Sequence, residues 1–176
     1  MILIVSSSLK TESNSRILAN EARRVLEHEK VPVTYIDLRD HPLPLCDGGA
    51  SYGHPNVAVV EALLDKAKAV LVATPIYNFD ANAAVKNLVE LTGSSWENKV
   101  VGFLCAAGGA SSYMSIMPLA NSLMLDFRTL IVPRFVYATG DAFADGRISD
   151  HKVEKRVYEL VMETARLASL HGKDGV

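Results

Sequence analysis

The sequence predicts a doubly wound α/β fold, a parallel sheet with helices packed on both faces. Three observations predict it. Apolar runs of strand length alternate with amphipathic helical patterns along the 176 residues. The run Ala69-Val70-Leu71-Val72-Ala73 has no polar face, as expected of a strand covered on both sides. Polar or glycine-rich loops follow the first, third and fourth runs, at the strand ends where such sheets bind ligands.

The elements follow in order. Met1-Ile2-Leu3-Ile4-Val5 is a short strand that breaks into a polar loop over 6–15. Ile17, Leu18, Ala22, Val25 and Leu26 then fall on one helical face, with Arg16, Glu21, Arg24 and Glu27 elsewhere. Residues 31–38, rich in β-branched and aromatic side chains, predict a second strand. Pro42, Pro44, Gly48 and Gly49 break the following stretch. A helix over 55–67 is expected to turn Val59, Ala62, Leu63 and Ala67 inward, and the third strand, over 69–73, to stop at Thr74. A helix over 81–92 leads to the fourth strand at 100–105, and a further helix to the fifth strand at 129–136. Asp145-Gly146-Arg147 predicts a turn before a last helix over 149–170, with Val153, Val157, Leu160, Val161 and Leu167 inward. With no repeat and no long linker, residues 1–176 are expected to form one domain. In a flavodoxin-like strand order 2-1-3-4-5, the loops after strands one and three flank the point where strand order reverses.

Bulk composition narrows the function. Apolar residues are 49% and charged residues 22%, which argues against disorder. A net charge of −2 and scattered Lys and Arg give no electrostatic case for nucleic acid or for a membrane surface. The opening apolar run is too short for a signal peptide, and no run reaches the roughly 20 residues that span a bilayer. Cys46 and Cys105 therefore read as free thiols in the cytoplasm.

Three loops carry chemistry. Between Ser6 and Ser15 stand five Ser and one Thr, gathered where the first helix presents its unpaired N–H groups. Such a helix start can hold a phosphate; an ordinary N-cap is the plainer reading. The Gly-Lys-Ser/Thr ending of a nucleotide-hydrolysing loop is missing, and neither a cysteine nucleophile nor an acidic metal-binding pair follows the first strand. The loop after the third strand carries Tyr77, Asn78 and Phe79, which can offer flat apolar surface and an amide, or simply close over the core. Gly108-Gly109 lets backbone approach a ligand, or makes a tight turn. Together the three loops fit a phosphorylated planar heterocycle.

The chain resembles the NADPH-dependent FMN reductase family in Ser8-Leu9-Lys10, in 13–19, in Asp37-Leu38-Arg39-Asp40 with Pro42-Leu43-Pro44, in Pro75-Ile76-Tyr77-Asn78 with Lys86-Asn87, and in Ala107-Gly108-Gly109. The resemblance implies a flavodoxin-like fold, bound FMN, and NADPH or NADH as co-substrate. It implies that Ser8, Lys10, Ser13, Asn14 and Ser15 hold the FMN phosphate. Pro75, Ile76, Tyr77, Asn78 and Phe79 would line the isoalloxazine, and Ala107, Gly108 and Gly109 its other edge. Lys10 stands where the family usually has Arg, Phe79-Asp80-Ala81-Asn82 replaces a small-residue and proline run, and 88–93 lacks an Asp-Trp pair.

The chemistry implied is hydride transfer from nicotinamide to flavin and on to a small-molecule acceptor such as flavin, quinone, azo dye or metal ion. No side chain is nominated as catalytic acid or base, and no metal site is expected. A non-enzymatic FMN-binding electron carrier or redox sensor is the alternative. Residues 113–127 are apolar on more than one helical face, which predicts a homodimer or a homotetramer, with Pro118 at a helix start or bend.

Overall fold

The computed structural model describes residues 1–171. The opening run is strand β1 (Ile2–Ser6), with every residue buried. Helix α1 (Asn14–His28) follows and buries Leu18, Ala19, Ala22, Val25 and Leu26. Strand β2 (Val33–Asp37), helix α2 (Pro55–Lys66), strand β3 (Ala69–Tyr77) and a short strand β4 (Asp80–Ala81) come next. Helix α3 (Ala83–Thr92), strand β5 (Val100–Ala107), helix α4 (Met117–Phe127), and strands β6 (Leu130–Ile131) and β7 (Val136–Thr139) follow. A hairpin of β8 (Phe143–Ala144) and β9 (Arg147–Ile148) leads into helix α5 (His151–Leu170).

The main sheet runs β2-β1-β3-β5-β6, with β7 beside the upper half of β5. Its major pairings are parallel, so the flavodoxin-like order expected from the sequence holds. Alternation along each strand divides the core. Leu3, Val5, Val70 and Val72 meet α2, α3 and α4, while Ile2, Ile4, Leu71 and Ala73 meet α1 and α5. Each fully buried Leu, Ile or Val on these faces contributes about 2 kcal/mol relative to exposure. Helix α5 lies unusually close to the sheet at Gly102. A Cβ there would sit 2.9 Å from Leu71 Cδ2 and 3.0 Å from Thr164 Oγ1.

Four expectations need correction. The third strand does not stop at Thr74 but continues to Tyr77, because Thr74 and Pro75 still pair with Cys105 and Ala106 of β5. The fifth strand is not continuous. Pro133 offers no N–H to the ladder and Arg134 adopts a left-handed φ of 60°, which splits the run into β6 and β7. Helix α2 buries Val57, Val60 and Leu64 rather than Val59, Ala62 and Leu63. That run offers two overlapping apolar stripes, and docking on the sheet selects the one sequence periodicity did not. The stretch 110–116 is 3₁₀ helix, and α4 starts only at Met117, with Pro118 in its first turn as expected. Asp145 and Gly146 form the expected turn, both at positive φ (49° and 72°), as a type I′ hairpin requires.

Candidate functional site

The serine loop leaves β1 still anchored to the sheet. The Ser7 N–H donates to the Ala73 carbonyl at 2.9 Å, and the Ser7 hydroxyl lies 2.8 Å from Asn82 Oδ1. Asn82 is 6% exposed, its Nδ2 donates to the Ser7 carbonyl, and its Oδ1 accepts the Val85 N–H as the N-cap of α3. The Thr74 hydroxyl joins the same Oδ1 at 3.1 Å. One buried amide therefore ties together the ends of β1 and β3 and the start of α3.

Further along, Arg16 builds the loop from inside. Its guanidinium donates to the carbonyls of Ser8, Lys10 and Thr11 at 2.7–2.8 Å and pairs with Asp37 at 2.5 Å. The Asp37 hydrogen bond raises the Arg16 pKa, so the charge is permanent. Burial pushes the Asp37 carboxyl up, but the Arg16 guanidinium and the Arg39 N–H outweigh it and hold the group below the usual carboxylate range. Ser8 is 1% exposed, and its hydroxyl accepts the Lys10 N–H at 3.4 Å. Its side chain shapes the turn.

The start of α1 is open. Ser13 is the N-cap residue, yet it makes no side-chain cap; its hydroxyl lies 2.9 Å from that of Ser15. The first-turn N–H groups of Asn14, Ser15 and Arg16 thus keep the donor capacity and partial positive charge of a helix N-terminus.

Across the cleft, β3 and β4 close a two-residue hairpin in which Tyr77 pairs with Asp80. Asn78 and Phe79 both take positive φ, 51° and 63°. Asn tolerates this conformation; for Phe it is strained. Tyr77 is 52% exposed and Phe79 66%, so neither closes over the core.

The third wall is the glycine loop after β5. The Tyr137 hydroxyl donates to the Gly109 carbonyl at 2.5 Å and lies 2.6 Å from the Ser112 hydroxyl. Tyr113 stacks on Phe135 and meets Tyr137 edge-on. Neither Gly108 nor Gly109 has a positive φ, and a Cβ on either would meet nothing within 4 Å. The chain's own backbone therefore does not require glycine here, whereas a flat ligand lying against the loop would.

These walls enclose one cleft of about 640 Å³ at the carboxyl edge of the sheet. Of the expected site residues, Lys10, Ser13, Asn14, Ser15, Pro75, Ile76, Tyr77, Asn78, Ala107 and Gly108 line it. Ser8, Phe79 and Gly109 lie just off its lining. Gly140, directly after β7, also lines it and extends it toward the β8–β9 hairpin. Arg16, Tyr137 and Gly140 were not among the site residues expected from the sequence. A glycine directly after the fifth strand was a legible signal; the roles of Arg16 and Tyr137 arise from tertiary contacts.

Two titratable groups outside the cleft, His54 and Cys105, belong to the fold. His54 accepts the Asn56 N–H as the N-cap of α2. Burial pushes the Cys105 thiol far up, which leaves it inert as a nucleophile. Among the described residues no group of three or more His, Cys, Asp or Glu is placed to hold a metal ion.

Fold and cleft define a flavodoxin-like α/β protein with a ligand cleft at its strand ends. The chain belongs to the NADPH-dependent FMN reductase family, whose sequence model matches residues 1–144. It is 30% identical over 151 residues to an NAD(P)H-dependent FAD/FMN reductase of Geobacillus thermodenitrificans, covering 84% of this chain and 80% of that one. An NADPH:quinone oxidoreductase of Arabidopsis thaliana is 28% identical over 154 residues, covering 78% of this chain and 76% of the relative. The solved flavoenzyme NAD(P)H:(acceptor) oxidoreductase of Paracoccus denitrificans superposes with a TM-score of 0.79 at 20% identity, over 98% of each chain.

Proposed function

We propose that this protein is an FMN-dependent NAD(P)H oxidoreductase that reduces a small-molecule acceptor such as a flavin, a quinone, an azo dye or an oxidised metal ion. Family membership supports the reaction class, and the reductase and quinone oxidoreductase relatives support the acceptor range. The observation that carries the reading is the uncapped start of α1, which shares one cleft with Tyr77, Asn78 and Gly108. An anion at the helix start and a flat ring between the aromatic rim and the glycine loop are the two halves of FMN.

Bound FMN would supply the hydride chemistry. The chain's own residues bind and orient it. The N–H groups of Asn14, Ser15 and Arg16, the hydroxyls of Ser13 and Ser15, and the Lys10 ammonium would take the phosphate. The backbone of Pro75, Ile76, Tyr77 and Asn78 would run along one ring edge, with Ala107 and Gly108 against the other. Gly109 and Phe79 act from behind these walls, and Ser8 keeps the loop in shape. Lys10 meets the phosphate as a point charge rather than a bidentate fork, which favours readier exchange of the cofactor.

A homodimer or homotetramer belongs to the same reading. Tyr113, Met114, Met117, Met124 and Leu125 remain between 38% and 76% exposed around α4, apolar surface that a second copy would cover. Among the described residues no helix is long and apolar enough to cross a membrane. We place the protein in the cytoplasm as one domain, where nicotinamide nucleotides are available and Cys46 and Cys105 stay reduced.

The deciding experiment is to load the purified protein with FMN, remove oxygen and add NADPH or NADH. Bleaching of the flavin absorbance is expected. Bound flavin that neither nucleotide bleaches would mark an electron carrier, and no flavin affinity would overturn the reading.

A further inference from the structure

A second cavity, of about 550 Å³, lies at the edge of the sheet, away from the cleft. Arg134 supplies one wall, and Lys152, Lys155 and Arg156 from the first turns of α5 supply the other. Lys155 pairs with Glu159, the single carboxylate of the lining, at 3.7 Å. Arg134, Lys152 and Arg156 have no carboxylate within 4.0 Å among the described residues. Most other arginines outside this cavity are paired: Arg16, Arg23, Arg24, Arg39 and Arg166 each meet an acid. A chain of net charge −2 therefore gathers, in one concavity, three cations that have no carboxylate partner among the described residues.

The rest of the lining is apolar and aromatic: Val136, Val153 and Tyr137. Cations on one side and a flat apolar wall on the other suit a nucleotide better than a bare anion. The volume lies within the range of small-ligand pockets. The position fits too. Tyr137 lines this cavity while its hydroxyl holds the Gly109 carbonyl, next to the Gly108 that lines the flavin cleft. Strand β7 runs from here to Thr139, which pairs with Ala107 of the cleft. One strand spacing and about three residues of strand separate the backbone of Val136 in this cavity from that of Ala107 in the cleft, roughly 5 Å by 10 Å. A dinucleotide spans that gap.

We propose that this basic cavity takes the 2′-phosphorylated adenosine of NADPH and so selects NADPH over NADH. The inference rests on the NAD(P)H-dependent reading above for its biological use, but not for its binding chemistry. Arg134, Lys152 and Arg156 would meet the 2′-phosphate, and the base would lie against Tyr137 and Val153. The split of the fifth strand is what brings Arg134 to this wall.

Calorimetric titration of the full chain with adenosine 2′,5′-bisphosphate, adenosine 5′-monophosphate and inorganic phosphate tests it directly. The bisphosphate is expected to bind at least about tenfold more tightly than the other two, and Arg134→Ala/Lys152→Ala to erase that difference. In turnover, the same variant is expected to lower the NADPH to NADH ratio of kcat/KM about tenfold. Equal binding of the three probes would overturn the proposal, as would a variant that keeps the preference or loses both nucleotides alike. If the protein takes no flavin, the oxidoreductase reading fails, and the calorimetry still decides the phosphate site.

Discussion

The two sides of the cleft are built on opposite plans. The β1–α1 loop is held by one partly buried cation, Arg16, whereas the β3–β4 hairpin stands out with Tyr77 and Phe79 more than half exposed. In the proposed role of presenting N–H groups to a phosphate, this loop gains from being fixed beforehand, because binding then loses less conformational freedom. A rim that must admit a second substrate gains from staying open. The hairpin even retains a strained Phe79 that a glycine would relieve.

The largest test of this contrast is Arg16→Ala. It removes three carbonyl contacts and strands Asp37, which is 6% exposed. A loss of about 3 kcal/mol in urea unfolding is expected, together with a collapse of FMN affinity. Full affinity in a stable variant would mean that the loop is not prebuilt.

Acid should undo the same side first. Asp37 titrates below its ordinary range when folded, so its contribution is present above about pH 4 and is lost as pH falls through the depressed value. Unfolding followed by circular dichroism in acid should therefore begin at lower pH in the parent than in a variant lacking the Arg16 partner. Ser13→Ala/Ser15→Ala comes next in size. Because Ser13 makes no cap, stability should hold within about 0.5 kcal/mol while FMN affinity drops about tenfold or more. Equal affinity in fluorescence titration would remove the hydroxyls from the phosphate site. The smallest effect is on the open side. Phe79→Gly should gain up to about 1 kcal/mol in thermal unfolding and leave FMN affinity nearly unchanged. A large loss of affinity would show Phe79 to be a wall of the cleft rather than part of its frame.

Sequence legibility was uneven in the same way. The serine loop was readable because a strand, a run of hydroxyls and an amphipathic helix are each local patterns, and their order along the chain already implies a helix start at a sheet edge. Its hydroxyls were less readable. Ser6 and Ser7 are fully buried, and Ser7 bonds to Asn82, 75 residues away, which no local pattern announces. The same limit hid Tyr137, whose partner Gly109 lies 28 residues earlier. Helix α2 shows the limit within a single element: two apolar stripes satisfied the period, and only contact with the sheet chose Val57, Val60 and Leu64.

By itself the sequence determined the alternation of strands and helices, the parallel sheet, and three strand-end loops suited to a phosphorylated ring, because these follow from local periodicity and backbone propensity. Tertiary structure alone decided that Arg16 holds the loop from beneath, that the fifth strand splits at Pro133 and Arg134, and that Arg134, Lys152 and Arg156 meet at the sheet edge with no carboxylate partner among the described residues. Those outcomes depend on which distant groups share space once the sheet closes, and charge and hydrogen-bond partners are settled only then.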